Sequence, residues 1–164
     1  MTMTTRTAEK TKSGNGSSGK GTDAVKLLKQ DHREVEDLFE TFEKARSKDR
    51  KTELAKKICD ALRVHMQVEE EIFYPACRGI VDDDQLDEGV VEHDSARKLI
   101  AEIEKMAPGD DLYDAKMTVL SEQVDHHVEE EEDEVFPTVK KSDLDLVSIG
   151  EQMRRRKAEL GAGD

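Results

Sequence analysis

Tryptophan is absent from this chain, and aromatic residues make up only 4% of its 164 residues. Charged residues, at 40%, outnumber hydrophobic ones, at 35%. Such a composition suits a β-sandwich poorly, but it is ordinary for a helical bundle whose outer faces lie in water. The length allows one domain with its own core.

Long apolar runs are also missing, and no stretch approaches the length that a membrane span needs. The first ten residues lack the apolar centre of a secretory signal. Cys59 and Cys77 form neither a metal-type pair nor a disulfide framework, so we expect two buried thiols in a reducing, cytoplasmic setting. The net charge of −13 repels phosphates, which argues against nucleic acid or an anionic membrane as the main partner.

Apolar residues recur every three or four positions in four stretches, which is the spacing of an amphipathic α-helix. The stripes begin at Val25, Leu54, Leu86 and Tyr113. Short breaks rich in turn and capping residues separate them near 47–49, 79–84 and 107–110. Four helices with short connections predict an all-α, up-down-up-down four-helix bundle.

The two ends of the chain differ from this body. Residues 1–21 have scarcely any apolar side chains, so we expect a disordered leader that cannot offset its ordering entropy. The bundle is expected over residues 22–141. Residues 142–164 are expected to form an additional C-terminal helix, over 143–160, and a tail. That helix would cap the bundle, and its basic stretch at 154–157 would offset the acidic body.

One pattern of polar residues occurs twice. His65 is followed by Glu69 after four residues and by a proline after ten, and His127 is followed by Glu131 and a proline at the same intervals. Residues i and i+4 share one face of a helix, so each segment can direct an imidazole and a carboxylate to one point.

A lone histidine precedes each segment: His32 lies 33 residues before His65, and His93 lies 34 residues before His127. An acid precedes each lone histidine, and we infer that the two halves are related by duplication. Counted from the shared turns, most of these positions on neighbouring helices differ in level by ~1–4 Å at ~1.5 Å per residue, which long side chains can span. We therefore expect six donors at one level of the bundle: His32, His65, Glu69, His93, His127 and Glu131.

Two carboxylates buried in one layer need cations, because burying an ionised Glu without a partner costs several kcal/mol. Metal ions would supply this charge, and imidazole with carboxylate suits iron, manganese or zinc. If Glu69 and Glu131 each bridge two ions, each ion also takes two imidazoles and keeps open positions for a small ligand. The alternative is a hydrogen-bonded network of His and Glu without metal.

Several nearby residues compete for a place in this site. His126 also has a glutamate four residues on, but it lies about 100° around the helix from the stripe that carries His127, so we favour His127. Glu70 and Glu132 follow the predicted ligand carboxylates and are expected to be rim acids that orient the second N–H of a histidine. Tyr74 is expected to pack at a helix end rather than to donate a hydrogen bond to the site.

The order His, then His-x-x-x-Glu, with both repeated and a proline closing each repeat, resembles the hemerythrin-like, or HHE, cation-binding domain over residues 23–141. The resemblance implies a four-helix bundle with a non-haem, oxygen-bridged di-iron centre, and manganese or zinc are less expected. The stretch at 149–157 is similar to the trailing helix of bacterial members. The family's ligands carry over onto these positions: His32, His65, Glu69, His93, His127 and Glu131.

Two features depart from the oxygen-carrying hemerythrins. Those proteins have a further histidine four residues after the one on the third helix, where this chain has Arg97. They also use a late aspartate where this chain has the pair His127 and Glu131. We therefore do not expect reversible oxygen carriage. Members that repair iron–sulfur clusters usually carry an N-terminal domain with cysteine, and residues 1–21 contain none, which counts against that role.

We therefore expect a di-iron protein of the stress response that binds or turns over a small oxidant: dioxygen, peroxide or nitric oxide. Turnover could take a catalase-like form. The alternative is an iron- or oxygen-responsive binding or sensing module without turnover. A third hypothesis is a zinc-bound or metal-free structural bundle. The sequence has no acid–base or nucleophile pattern apart from this site, so hydrolysis is not expected.

Overall fold

Helices account for most of residues 21–161, which are the residues that the computed structural model describes. The leader predicted over residues 1–21 lies outside the described residues, apart from Gly21. Residues 21–161 form seven α-helices: α1 (Ala24–Lys44), α2 (Lys48–Val68), α3 (Tyr74–Cys77), α4 (Asp83–Ile103), α5 (Tyr113–Glu130), α6 (Phe136–Lys140) and α7 (Leu146–Gly161).

Four rods make up the bundle. Helices α1 and α4 are two of them. In the other two, α2 continues through a π-helical segment (Glu69–Phe73) into α3, and α5 continues through a second one (Glu131–Val135) into α6. The pairs α1–α2 and α4–α5 pack as hairpins, and α1 also meets α5 while α2 meets α4. The predicted all-α, up-down-up-down four-helix bundle with an additional C-terminal helix is confirmed.

Side-chain caps fix where the rods begin. Asp23 accepts a hydrogen bond from the backbone N–H of Lys26 at 2.9 Å at the start of α1. Ser47 accepts one from the N–H of Arg50 at 3.2 Å at the start of α2. These oxygens pair N–H groups that have no partner within the first turn. The break predicted near 47–49 therefore lies at the real start of α2.

The two π-helical segments are a feature that the periodicity of the sequence does not predict. The N–H of Tyr74 bonds to the carbonyl of Glu69, five residues back, and that of Phe136 bonds to the carbonyl of Glu131. A proline follows immediately in both rods. Its ring would clash with the carbonyl four residues back in a regular α-helix, and we attribute the wider turn to this. Each predicted ligand glutamate is the first residue of a π segment.

Two hydrophobic clusters fill the bundle, one on each side of a polar layer. The first contains Val35, Ile58, Leu120 and their neighbours near the α1–α2 and α4–α5 turns. The second contains Leu28, Phe73 and neighbours at the other end, including residues of α7. Cysteines are buried in both clusters and neither is in a disulfide, as predicted: Cys59 and Cys77.

The C-terminal helix packs against α1 and α2 and starts three residues later than the sequence predicts. The side chain of Asp145 accepts the N–H of Ser148 at 3.0 Å and sets this start. A Cβ at Gly150 would lie 2.5 Å from the carbonyl oxygen of Thr22, so only glycine lets α7 approach the start of α1 this closely. None of the helices in residues 21–161 has both the length and the apolar character that crossing a bilayer requires.

Candidate metal centre

The six predicted donors lie in one layer between the two hydrophobic clusters. None of the six is more than 8% exposed, and Glu69 is completely buried. Each of the four rods contributes at least one of them: His32 (α1), His65 and Glu69 (α2 and its π segment), His93 (α4), His127 and Glu131 (α5 and its π segment).

The carboxylate of Glu69 reaches toward both halves of the layer. Its Oε1 lies 3.1 Å from Nε2 of His65. Its Oε2 lies 3.1 Å from Nε2 of His93 and 3.8 Å from Nε2 of His127. One oxygen therefore faces a histidine of the first repeat, and the other oxygen faces the histidines of the second half.

Glu131 has the matching orientation. Its Oε2 lies 3.3 Å from Nε2 of His32, and its Oε1 lies 3.5 Å from Nε2 of His127. The donors thus fall into two groups that share Glu69, and within each group the donor atoms lie within 4.8 Å of one another. The first group holds His32, His65, Glu69 and Glu131, and the second holds Glu69, His93 and His127.

Several donor atoms in this layer lie 3.1 to 3.3 Å from another donor atom. They nevertheless lack the alignment of a hydrogen bond and have no hydrogen-bond partner among the residues that the structure describes. They are Nε2 of His32, Nε2 of His65, both oxygens of Glu69, and Oε2 of Glu131. A network built for hydrogen bonding would pair them, because an unpaired buried polar group costs about 1–3 kcal/mol. Imidazole nitrogens and carboxylate oxygens grouped this closely fit metal ions better than they fit one another.

The charges in the layer are strongly coupled. Burial by itself raises the pKa of Glu69, but His65 and the other imidazoles hold it well below its usual range. Burial lowers the pKa of His65, and the carboxylates of Glu69 and Asp31 more than reverse this and raise it to about 10. The carboxylates therefore draw positive charge into the layer, carried either by protons on the imidazoles or by metal ions.

Glu70 and Glu132 hold the second nitrogens of the two lone histidines. Nδ1 of His32 lies 3.0 Å from Oε1 of Glu132, and Nδ1 of His93 lies 2.8 Å from Oε1 of Glu70. A carboxylate here keeps Nδ1 protonated and turns Nε2 toward the centre of the layer. Both contacts agree with the role that the sequence predicts for these acids.

Two further acids, which were not predicted to have a role in the site, do the same for the other histidines. Nδ1 of His65 lies 3.2 Å from Oδ2 of Asp31, and Nδ1 of His127 lies 2.5 Å from Oε2 of Glu92. Each acid directly precedes a lone histidine and serves the histidine of the adjacent rod. The repeated acid–His pair was the signal that could have revealed them.

A basic side chain lies behind each of these four acids. The pairs are Lys157 with Asp31, Arg97 with Glu70, Arg33 with Glu132, and His126 near Glu92. Arg97 occupies the position at which oxygen carriers have a further histidine, and here it binds Glu70 at 2.9 Å. The side chain of His126 is 64% exposed and its Nε2 lies 3.2 Å from Glu130, so it stays outside the buried layer.

Tyr74 contacts the site directly, and the prediction that it only packs at a helix end is wrong. Its hydroxyl donates a hydrogen bond of 2.9 Å to Oε1 of Glu131 and lies 3.4 Å from Nε2 of His127. Its ring stacks on His93, with centroids 5.6 Å apart. In the other half, Phe136 stacks on His32 at 5.8 Å but has no hydroxyl.

Gly89 makes room for this hydroxyl. A Cβ at position 89 would lie 2.8 Å from the oxygen of Tyr74. Gly89 precedes His93 by one helical turn, and the corresponding residue before His32 is the fully buried Leu28. The two halves of the layer therefore differ at the aromatic residue and at the residue facing it.

The model of the hemerythrin HHE cation binding domain family matches residues 23–139, which span the whole bundle and all six donors. The chain therefore belongs to this family, and its buried His and Glu groups are of the kind that bind metal ions.

Its fold is similar to the crystal structure of a hemerythrin HHE cation binding domain-containing protein from Mycobacterium kansasii. The two are 20% identical in sequence, the TM-score is 0.75, and the match covers 86% of this chain and 88% of that one.

In sequence, the chain is also similar to a protein of Nostoc sp. (strain PCC 7120 / SAG 25.82 / UTEX 2576) that is named a DNA nickase. The two are 24% identical over 114 residues, which is 70% of this chain and 32% of that protein. The chain thus spans about a third of this relative's length.

Proposed function

We propose that the six donors hold two iron ions, and that this centre binds or turns over dioxygen, peroxide or nitric oxide in a stress response. The observation that carries the proposal is the orientation of Glu69. Its two oxygens each lie 3.1 Å from a histidine nitrogen, and those histidines come from different halves of the chain. A completely buried carboxylate that faces two donor groups fits two cations, one at each oxygen.

Each ion would take two imidazoles and one oxygen from each glutamate. His32 and His65 would serve the first ion, and His93 and His127 the second. Imidazole and carboxylate donors also accept manganese or zinc, but we favour iron because helical bundles use this donor set for di-iron centres. Iron supplies redox chemistry with small oxidants.

The protein's own contribution is to orient the donors and to limit access to them. The four acids at Nδ1 fix the tautomer and the ring angle of every histidine in the layer. The hydroxyl of Tyr74 donates to Glu131 and is held protonated, because burial and the nearby carboxylates raise its pKa well above the usual range. The hydrophobic clusters on either side exclude bulk water.

Metal analysis with an optical spectrum tests the iron assignment. Protein purified from iron-fed cells is expected to contain about two iron ions per chain, with absorption in the near ultraviolet. Glu69→Gln should lose most of this iron. His126→Ala, which changes the exposed histidine beside the site, should keep it. Wild-type protein that contains only zinc, or no metal, would contradict the proposal.

Oxygen release from added hydrogen peroxide separates turnover from sensing. A catalase-like protein releases oxygen, and His65→Ala and Glu131→Ala should abolish the release. If the iron-loaded parent binds oxidants but releases no oxygen, the protein is the binding or sensing module that forms the second hypothesis.

We do not extend DNA nicking to this chain. The relative with that name is about twice as long, and this chain carries a net charge of −13, which repels a phosphate backbone.

A further inference from the structure

A small cavity adjoins the layer of six donors and is lined by its four imidazoles. Its volume is about 30 Å³. On the same measure one water molecule needs roughly 10–15 Å³, so the cavity has room for a ligand of about two heavy atoms. Its walls are largely apolar, formed by Val35, Leu62, Met66, Ala96, Val124 and Val128.

One polar side chain outside the histidines and their supporting acids also lines this cavity: Gln123. It lies on α5 one helical turn before His127 and so shares that histidine's face of the helix. Its Oε1 is buried and has no hydrogen-bond partner within residues 21–161. The matching position of the first half, one turn before His65, is Ala61, which has no polar group.

A buried carbonyl oxygen without a partner is costly, and a leucine or an alanine at this place would avoid the cost. The cavity is too small for a large ligand, and apart from Gln123, the histidines and their supporting acids, its walls are apolar. The carbonyl oxygen of Gln123 is therefore suited to accept a hydrogen bond from a small ligand that carries a proton.

We propose that Gln123 is a specificity-determining residue that accepts a hydrogen bond from a small protonated ligand, of the class of hydrogen peroxide, bound in the cavity beside the metal layer. This inference rests on the proposed function and narrows its ligand. Dioxygen, nitric oxide and azide have no proton to donate at neutral pH, so the carbonyl oxygen gives them no hydrogen bond.

The test compares Gln123→Met with the parent in iron-loaded protein. Methionine keeps the length of the side chain and removes the carbonyl. Two quantities are measured: the peroxide concentration that gives the half-maximal optical change, and the azide dissociation constant from an equilibrium titration. Gln152→Leu is the control, because it removes the same amide from the exposed face of α7.

Gln123→Met should raise the peroxide concentration for the half-maximal optical change about three- to tenfold, which corresponds to the loss of one hydrogen bond. It should leave the azide dissociation constant unchanged or lower it. Gln152→Leu should change neither. Weaker azide binding in Gln123→Met would show that the amide donates an N–H instead, and would overturn the proposal. An unchanged response to peroxide would also overturn it.

Gln123→Ala serves as a second variant if Gln123→Met does not fold, with the same two outcomes expected. Failure of this inference is distinguishable from failure of the proposed function. If the parent protein holds iron and responds to both peroxide and azide, but Gln123→Met behaves like the parent, only the inference about Gln123 is wrong. If the parent holds no iron, the metal centre itself is wrong.

Discussion

Lys157 of α7 donates a hydrogen bond to Oδ1 of Asp31, and the other oxygen of Asp31 lies 3.2 Å from Nδ1 of His65. The additional C-terminal helix thus reaches a predicted metal ligand through a single carboxylate. The basic side chains behind the other three acids all come from the four rods of the bundle. Helix α7 therefore covers the hydrophobic core and also helps to hold His65 in place within the layer of six donors.

Replacing Lys157 with methionine should weaken metal binding through His65, because Asp31 loses the cation that holds it in place. Loss of such an outer contact typically costs about 10–100-fold in metal affinity. The measurement is the rate at which a chelator removes iron from the protein. Lys157→Arg should restore slow removal. Arg154→Met, which removes a charge from the exposed face of the same helix, should not change the rate, and an effect equal to that of Lys157→Met would point to net charge instead.

Tyr74→Phe should make the two metal positions more alike. The hydroxyl of Tyr74 occupies Oε1 of Glu131, the oxygen that faces the second donor group. Without it, this oxygen no longer shares its charge with a hydrogen-bond donor, and we expect the second ion to bind about tenfold more tightly. Calorimetric titration of chelator-treated protein with zinc measures both steps.

Gly89→Ala provides an independent check on the same contact. Its new Cβ would lie 2.8 Å from the hydroxyl of Tyr74 and must displace it, so the variant should shift the second binding step in the same direction as Tyr74→Phe. If tighter binding appears in neither variant, Tyr74 does not set the difference between the two positions.

Both cysteines should be inert in the folded protein. Burial raises the pKa of Cys59 to about 11 and that of Cys77 to about 12. At pH 8 roughly one part in a thousand or less of either thiol is the reactive thiolate. An aromatic disulfide reagent should therefore titrate no thiol in native protein and two per chain in urea. Rapid reaction of one thiol before unfolding would show that its part of the core opens.

The stability of the bundle should depend on acid through Glu104, which follows α4 and forms a two-pronged ion pair with Arg63 of α2. The hydrogen bonds from Arg63 lower the pKa of Glu104 below its ordinary value of 4.5. Because the pKa of Glu104 is lower in the folded protein than in the unfolded chain, its charge stabilises the fold at pH values above the unfolded-state pKa. This stabilisation is lost as the pH falls through the folded-state pKa.

Glu104→Gln should accordingly lower the urea midpoint at pH 7 and have little effect near pH 3. The loss should stay below about 1 kcal/mol, because both partners are partly exposed and water screens the pair. An equal loss at both pH values would mean that Glu104 acts through packing rather than through charge.

Much of the fold and of the candidate site could be predicted because both depend on local spacing. The apolar period fixed which face of each rod is buried, and the interval of four residues placed His65 and Glu69 on that face. Equal distances from the turns then placed the lone His32 and His93 at the same level. Helical rise and short connections are sufficient for this reasoning.

What could not be predicted depends on contacts between rods. The role of Asp31 requires knowing that it faces the rod of His65. The hydrogen bond from Tyr74 depends on the space left by Gly89 on another rod, and no periodicity in the sequence encodes it. The π segments depend on how the backbone avoids a proline, which changes hydrogen bonding without changing the pattern of apolar residues.

The near-twofold repeat of the donor layer lies within one polypeptide, so its two halves need not be identical. Two identical hairpins paired as a homodimer would supply the same inner donors, but symmetry would force one residue type at both aromatic positions. In a single polypeptide the two halves can differ, and they do so at Tyr74 and Phe136 and at Gln123 and Ala61. Covalent connection thus permits one half of the layer to be specialised while the other half is left unchanged.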